Sequence, residues 1–253
     1  MAARNAFKQS IRQRQLQIGL WSSLCSPVAT ELLSHSGYDW LLYDSEHSPV
    51  DVAGLLPLLH AGAGGTAHQV VRPAENDPVL IKRVLDLGAQ TILVPFVQNG
   101  GEARDAVMAT RYPPHGIRGV AGATRASRYG RDKEYLCEAG DAVCLLVQIE
   151  TQAALSDIEA ISTTDGVDGV FIGPSDLAAS LGHIGNPGHP DVQRAIRDAG
   201  RAIDAAAKPA GILANSVDAA RNYIDWGFTF VAVATDLGLL STAASQMRDQ
   251  FKQ

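Results

Sequence analysis

The chain has 253 residues, 46% of them hydrophobic and 19% charged, and a formal net charge of −6. That composition supplies a sizeable core and excludes a disordered chain, while the acidic balance and the lack of a basic stripe exclude a nucleic-acid partner. No apolar stretch approaches the roughly 20 residues a membrane span requires, and Cys25, Cys137 and Cys144, at unrelated spacings, predict reduced thiols in a cytoplasmic protein.

The first 30 residues hold no acid and several arginines, as transit peptides do, but they run straight into a strand. They are read as an N-terminal helix carrying Phe7, Ile11 and Leu16. Short apolar runs then alternate with helical segments, and strands are predicted at 18–22, 39–43, 69–72, 91–95, 144–149, 169–172, 210–213 and 230–234. Most are continuous apolar runs, the appearance of parallel strands covered on both faces. Asp77-Pro78 supplies an N-cap and a first-turn proline for a helix that Gly88 closes; Pro190 opens another, and Ser216 caps a third. Eight strands alternating with helices over about 250 residues is the arithmetic of an α/β (β/α)8 TIM barrel. The expected layout is one barrel domain over residues 1–253, with an N-terminal helix before it and a C-terminal helix after it. A doubly wound sheet lacks its glycine fingerprint, because Gly62-Ala63-Gly64-Gly65 follows a helix rather than a strand.

In such a barrel the C-terminal strand ends share one mouth, where barrel enzymes do their chemistry. Those ends carry Trp21, Asp44 with Glu46 and His47, Arg72, Pro95, Gln148 with Glu150, Ser175 with Asp176, Leu213, and Thr235 with Asp236. The opposite ends offer mainly turn residues such as Gly37, Gly166 and Gly227. Glu150 and Asp176 each follow a buried strand directly. Paired carboxylates there, with no Cys or His cluster beside them, suit a hard divalent ion held by oxygen atoms, or else each caps the next helix. None of the five lysines (Lys8, Lys82, Lys133, Lys208, Lys252) falls at a strand's C-terminal end, which argues against an imine mechanism. Asp86 lies near a helix C-terminus, where its charge opposes the dipole, so it needs a partner; His47 or Arg72 is the expected one.

The phrases Tyr43-Asp44-Ser45-Glu46-His47-Ser48-Pro49, Val71-Arg72-Pro73, Ile81 to Ala89, Arg111 to Gly119, Gln148-Ile149-Glu150 and Phe171-Ile172-Gly173-Pro174-Ser175-Asp176-Leu177 together resemble the HpcH/HpaI aldolase family, from about Gly19 to Leu240. The resemblance implies a class II pyruvate aldolase: reversible cleavage of 4-hydroxy-2-oxo acids to pyruvate and an aldehyde, such as succinic semialdehyde or tartronate semialdehyde, through a metal-bound pyruvate enolate. It implies Glu150 and Asp176 as ligands of a divalent ion (Mg2+, Mn2+ or Co2+) and His47 as base. Asp44 and Asp86 would orient His47, Arg72 would stabilise the enolate oxygen, and Gln148 with the Ser175 backbone would hold pyruvate. Trp21 and Leu213 would wall the aldehyde pocket or simply fill the barrel. Ser45 replaces the motif's glycine. The resemblance also implies a homo-oligomer, a hexamer or trimer of dimers, in which neighbouring chains complete the site.

The segment from Pro113 to Asp141 is long for a loop, and long ordered loops are usually functional. With Arg118, Arg125, Arg128 and Arg131 in it, it is read as a basic lid or rim over the mouth, or as a subunit contact, with a short helix at Tyr135-Leu136. A phosphosugar isomerase and a non-catalytic barrel scaffold are the alternatives. The first is disfavoured by Asp236 at the end of the last strand, where this fold usually binds phosphate.

Overall fold

A computed structural model describes residues 5–252. In chain order the elements are α1 (Ala6–Arg12), β1 (Gln17–Ser22), α2 (Pro27–Ser34), β2 (Trp40–Asp44), α3 (Val52–Gly62), β3 (His68–Arg72), α4 (Pro78–Asp86), β4 (Thr91–Val94), α5 (Gly100–Thr110) and α6 (Tyr135–Ala142). They continue with β5 (Cys144–Ile149), α7 (Gln152–Ser156), α8 (Ile158–Thr163), β6 (Gly169–Ile172), α9 (Pro174–Ser180), α10 (Pro190–Ala205), β7 (Ala210–Leu213), α11 (Val217–Asp225), β8 (Phe230–Thr235) and α12 (Asp236–Asp249). All eight strands are parallel, each pairs with its sequence neighbour, and β8 closes on β1. The expected α/β barrel is therefore observed, and every predicted strand agrees to within a residue or so at each end.

Alternate residues of each strand point inward, and they separate the core into two clusters. Trp21, Trp40, Leu42, Val70, Leu93, Cys144, Leu146, Phe171, Phe230 and Ala232 fill the barrel interior. The intervening residues, among them Leu41, Tyr43, Val71, Leu145, Val147 and Ile172, pack against the helices. The interior is crowded enough that Gly19 admits no side chain: a Cβ there would lie 2.1 Å from a ring atom of Trp40.

The N-terminal helix seals the floor. Phe7 of α1 stacks on His68 with centroids 5.3 Å apart and meets Trp40 and Phe230 at 6.0 and 6.1 Å. Asn5 caps α1 and donates to the Gln90 and Ala142 carbonyls, and Leu16, expected on this helix, lies beyond its end at Arg12 and is exposed. Asp168 pins the helix through Lys8 at 3.1 Å and Arg12 at 2.8 Å, and it also accepts the Leu145 N–H. At the other end Asp236 closes the β1/β8 seam, accepting from the Ser22 hydroxyl and from the backbone of Ser23 and Leu24. It is a structural clamp rather than a free mouth acid.

The 113–141 segment corrects the expectation of a lid. It joins the end of α5 to the start of β5, and such a connection lies at the floor of a barrel. Ala126 donates its N–H to the Asp86 carbonyl, and Arg125 Nη1 donates to the Leu87 carbonyl. The short helix within it is present as α6. Because Lys8 and Asp168 are both buried, removing the acid leaves an uncompensated cation. Asp168→Ala is expected to lower stability by about 3–5 kcal/mol in urea unfolding followed by circular dichroism.

Candidate active site

The inward columns change character as they reach the mouth. On β2 the series Trp40, Leu42 ends in Asp44; on β3 Val70 is followed by Arg72; on β5 Cys144 and Leu146 are followed by Gln148 and then Glu150. Asp44 and Arg72 are register partners, so adjacent strands deliver the two side chains to each other. The pair is bidentate: Arg72 Nε donates to Asp44 Oδ1 at 2.8 Å and Nη2 to Oδ2 at 2.7 Å, with both residues buried. Burial works to raise the Asp44 carboxyl, but the hydrogen bonds and charge of Arg72 outweigh it and hold the group below its ordinary range. Trp21 braces the pair, its Nε1 donating to Asp44 Oδ2 at 3.2 Å and its ring lying 4.7 Å from the guanidinium carbon.

Glu46, which the sequence places at the mouth without a role, takes one here. It shares inward parity with Asp44, two positions on, and reaches Arg72 Nη1 at 2.5 Å. Its backbone N–H and that of His47 both donate to Asp44 Oδ1, at 3.0 and 3.4 Å. Asp44 therefore orients Arg72 and the turn that carries His47, not the imidazole as expected. The ring itself is 66% exposed, with Nε2 4.0 Å from Glu46 Oε1. Ser45, at the position of the motif glycine, donates both its hydroxyl and its N–H to the Arg72 carbonyl at 2.6 and 3.0 Å, tying the end of β2 to β3.

Asp86 is the second correction. It sits at the C-terminal end of α4, hence at the floor, and its partner is Arg118 Nη2 at 2.7 Å. Arg118 is fully buried between the rings of Tyr112 and Tyr135. The charge does need a partner, but a helix running antiparallel to the strands carries its C-terminus away from the mouth.

Glu150 is buried. Its Oε1 accepts the Phe96 N–H at 3.0 Å and its Oε2 accepts Gln148 Nε2 at 2.6 Å. Burial pushes its carboxyl up to about 7; Gln148 opposes that, while Glu46 and Asp176 reinforce it. Asp176, exposed in the first turn of α9, faces the same cleft. Gly173 is needed between them, because a Cβ there would lie 2.4 Å from Glu150 Oε2. The cleft measures about 140 Å3 and is lined by Trp21, His47, Arg72, Gln148, Glu150, Ser175, Asp176 and Leu213 among others. Of the predicted site residues only Asp44, buried beneath Arg72, and Asp86 are not on its wall. A larger hollow of about 510 Å3 lies at the floor around Phe7, Gly37 and Arg125, away from these carboxylates.

A hard divalent cation fits this donor set. Glu150 and Asp176 offer carboxylate oxygens, and Gln148 Oε1 is buried without a hydrogen-bond partner among the described residues. Glu46, Glu150 and Asp176 also repel one another, with Arg72 and, for Glu46, His47 to offset them, an imbalance that a bound cation relieves. All five lysines lie elsewhere; Lys8 and Lys208 bond to the Val143 and Val167 carbonyls at the floor.

The sequence profile of the HpcH/HpaI aldolase/citrate lyase family matches residues 17–243. The 5-keto-4-deoxy-D-glucarate aldolase of Escherichia coli is 47% identical over 249 residues, 98% of this chain and 97% of that one. Among solved structures, a HpcH/HpaI aldolase/citrate lyase family protein from Burkholderia cenocepacia superposes with a TM-score of 0.95 at 39% identity, covering 98% of this chain and all of that one. A HpcH/HpaI aldolase from Desulfitobacterium hafniense superposes with a TM-score of 0.87 at 27% identity, covering 97% and 96%.

Glu150 sets a pH signature. Its folded-state carboxyl, near 7 against an ordinary 4.5, binds a proton that the unfolded chain has already released. Stability of the metal-free protein should therefore fall as pH rises from about 4.5 to about 7. Glu150→Gln should remove that fall and be the more stable protein at pH 8 in chelator. Parallel melting-temperature profiles for the two proteins between pH 5 and 8 would refute the assignment.

Proposed function

The chain belongs to the HpcH/HpaI aldolase/citrate lyase family, and we propose, on the site just described, how it works as a carbon–carbon lyase and on what. The aldolase reaction is reversible cleavage of a 4-hydroxy-2-oxo acid to pyruvate and an aldehyde. What supports the residue roles is the convergence of Glu150, Gln148, Arg72, His47 and Asp176 on one cleft at the barrel mouth.

Cleavage requires that the 4-hydroxyl proton leave, that the C3–C4 bond break, and that its electrons enter an enolate over C2 and C3, which takes a proton at C3 to become pyruvate. His47, exposed on the rim, accepts the hydroxyl proton. Arg72, fixed by Asp44 and braced by Trp21, presents a preorganised donor to the oxygen on which negative charge develops. Gln148 and the Ser175 backbone hold the pyruvate moiety. A divalent ion held by Glu150 and Asp176 would supply Lewis-acid stabilisation of that oxygen; Mg2+, Mn2+ and Co2+ are the candidates. With no lysine at the mouth, an imine route has no nucleophile.

The substrate we assign is a six-carbon 2-oxo sugar diacid of the 5-keto-4-deoxy-D-glucarate type, as named for the Escherichia coli relative. Aldol cleavage of that skeleton yields pyruvate and tartronate semialdehyde. The wall contributed by Trp21 and Leu213 discriminates only weakly, by about 1–3 kcal/mol per methylene, so the aldehyde side should tolerate variation, succinic semialdehyde included. The arginine-rich segment, being at the floor, takes no part in that wall within one chain.

The key assay is pyruvate release from a 4-hydroxy-2-oxo acid with and without EDTA. Chelation should abolish it, and Mg2+, Mn2+ or Co2+ should restore it. Glu150→Ala and Asp176→Ala should each remove metal-supported turnover without loss of fold. His47→Ala should lower turnover by roughly two to four orders of magnitude, and Arg72→Lys should also be severe, since an ammonium does not reproduce a bidentate fork. A borohydride adduct on any lysine in the presence of pyruvate would contradict this chemistry.

We also propose that the chain self-associates. Of α12 only Asp236 is buried, and Leu237, Leu239, Leu240 and Met247 are exposed along it, with Val28 and Leu32 exposed on α2. So much apolar surface beside the barrel seam suits a second copy of this chain. Light scattering should give a mass of two or more chains, reduced by Leu240→Asp with Met247→Asp; a monomeric parent protein would dismiss the idea.

A further inference from the structure

Between α9 and α10 lies a cluster with no part in the cleft. Among the described residues, His183, His189 and Asp191 form a group whose ligand atoms all lie within 4.8 Å of one another. The loop is built to hold them. His183 N–H closes the end of α9 on the Ala178 carbonyl at 2.7 Å. Two successive turns, Asn186 N–H to His183 O at 2.9 Å and His189 N–H to Asn186 O at 3.1 Å, then bring the chain back over itself. Gln193 Nε2 fastens Pro187 O to α10 at 2.8 Å. The two imidazoles stack with centroids 3.5 Å apart and planes 14° off parallel. Asp191 Oδ2 is 3.7 Å from His183 Nε2 and 3.7 Å from His189 Nδ1. Arg194 engages the other oxygen, Oδ1, at 3.1 Å, which leaves Oδ2 facing the rings. Nδ1 of His189 accepts the Asp191 N–H at 3.2 Å, a hydrogen bond that a metal ion at this nitrogen would replace.

We propose that His183, His189 and Asp191 bind a borderline divalent transition-metal ion, Zn2+ being the representative, at a second site distinct from the barrel mouth. Two imidazole nitrogens and one carboxylate oxygen are the donor chemistry of Zn2+, Co2+, Ni2+ and Cu2+, whereas the all-oxygen set at the mouth suits harder ions. Tetrahedral coordination at about 2.0–2.1 Å needs ligand atoms roughly 3.3 Å apart. The longest separation must contract by up to about 1.5 Å and the stacked rings must turn toward the ion, which side-chain rotation can provide because all three groups are partly exposed. A water completes the fourth position. The ion joins the end of α9, whose first turn carries Asp176, to the start of α10.

The test is a Zn2+ titration of the chelator-stripped full-length protein in excess Mg2+, read by calorimetry and by competition with a chromophoric chelator. One Zn2+ per chain is expected, with an increase in melting temperature. His183→Ala and His189→Ala should each weaken binding by roughly tenfold or more, since losing a ligand costs at least as much as losing the group that orients one. Both variants should keep the parent's Mg2+-supported aldolase turnover, which certifies the fold. Co2+ added to the protein should give, beyond the weak absorption of any ion held at the mouth, an intense tetrahedral d–d band that each histidine variant loses while Glu150→Ala keeps it. The proposal is overturned if the histidine variants bind Zn2+ as the parent does, or if Glu150→Ala rather than either histidine variant removes the binding.

Discussion

A closed parallel barrel turns alternate residues of every strand toward a centre that has room only for packed side chains. Along the columns Trp40–Leu42–Asp44 and Cys144–Leu146–Gln148–Glu150 the lower positions are large and apolar and the last ones are polar. Since α1 closes the floor with Phe7, polar groups at the upper ends have one way to meet water and ligands. The position and the composition of the site both follow from this inward parity. The outward-facing residues of the same strands, such as Tyr43 and Val147, meet only helices.

The charge balance at the mouth is the second organising fact. Asp44 is consumed by Arg72 in a two-bond contact, and Glu46 takes a further guanidinium nitrogen. This single arginine therefore serves two acids and leaves Glu150 and Asp176 without a cation of the chain's own. A buried carboxylate in that position gains from binding either a proton, the tendency that burial gives Glu150, or a cation. Proton and metal are then alternatives for one seat. Trp21 contributes by lying against the arginine and bonding its partner Asp44, so its bulk serves to position that pair.

Much of this was legible in the sequence because continuous apolar runs mark buried parallel strands and because strand ends name the residues at the mouth. Glu150, Asp176, Arg72, His47, Gln148, Ser175, Leu213 and Trp21 were all found that way. The partner expected for Asp86 and the lid reading of the arginine-rich segment fail for one shared reason: spacing along the chain says that a helix end needs a partner, or that a loop is long, without saying at which end of the barrel it lies. Strand-to-helix connections lie at the mouth and helix-to-strand connections at the floor, and both features belong to the second kind. Glu46 was visible as an acid beside His47, but its hold on Arg72 depends on how the turn after β2 folds, which Ser45 fixes through a backbone carbonyl of β3. The stacked histidines after α9 needed three-dimensional closure of a loop to appear at all.

The floor plug has a consequence for how the chain is made. The helix that carries Phe7 and Lys8 is synthesised before most of the barrel, and its partners are dispersed along the later sequence: His68, the Ala142 and Val143 carbonyls, Asp168, and Phe230 on the last strand. N-terminal segments generally begin to fold during synthesis, but this one has nothing complete to dock on until β8 exists. Phe7 and Ile11 lack their complete docking surface until more than two hundred further residues have been added. The closure of β8 on β1 and the seating of α1 are thereby coupled, because Phe230 of β8 is part of the surface that receives Phe7.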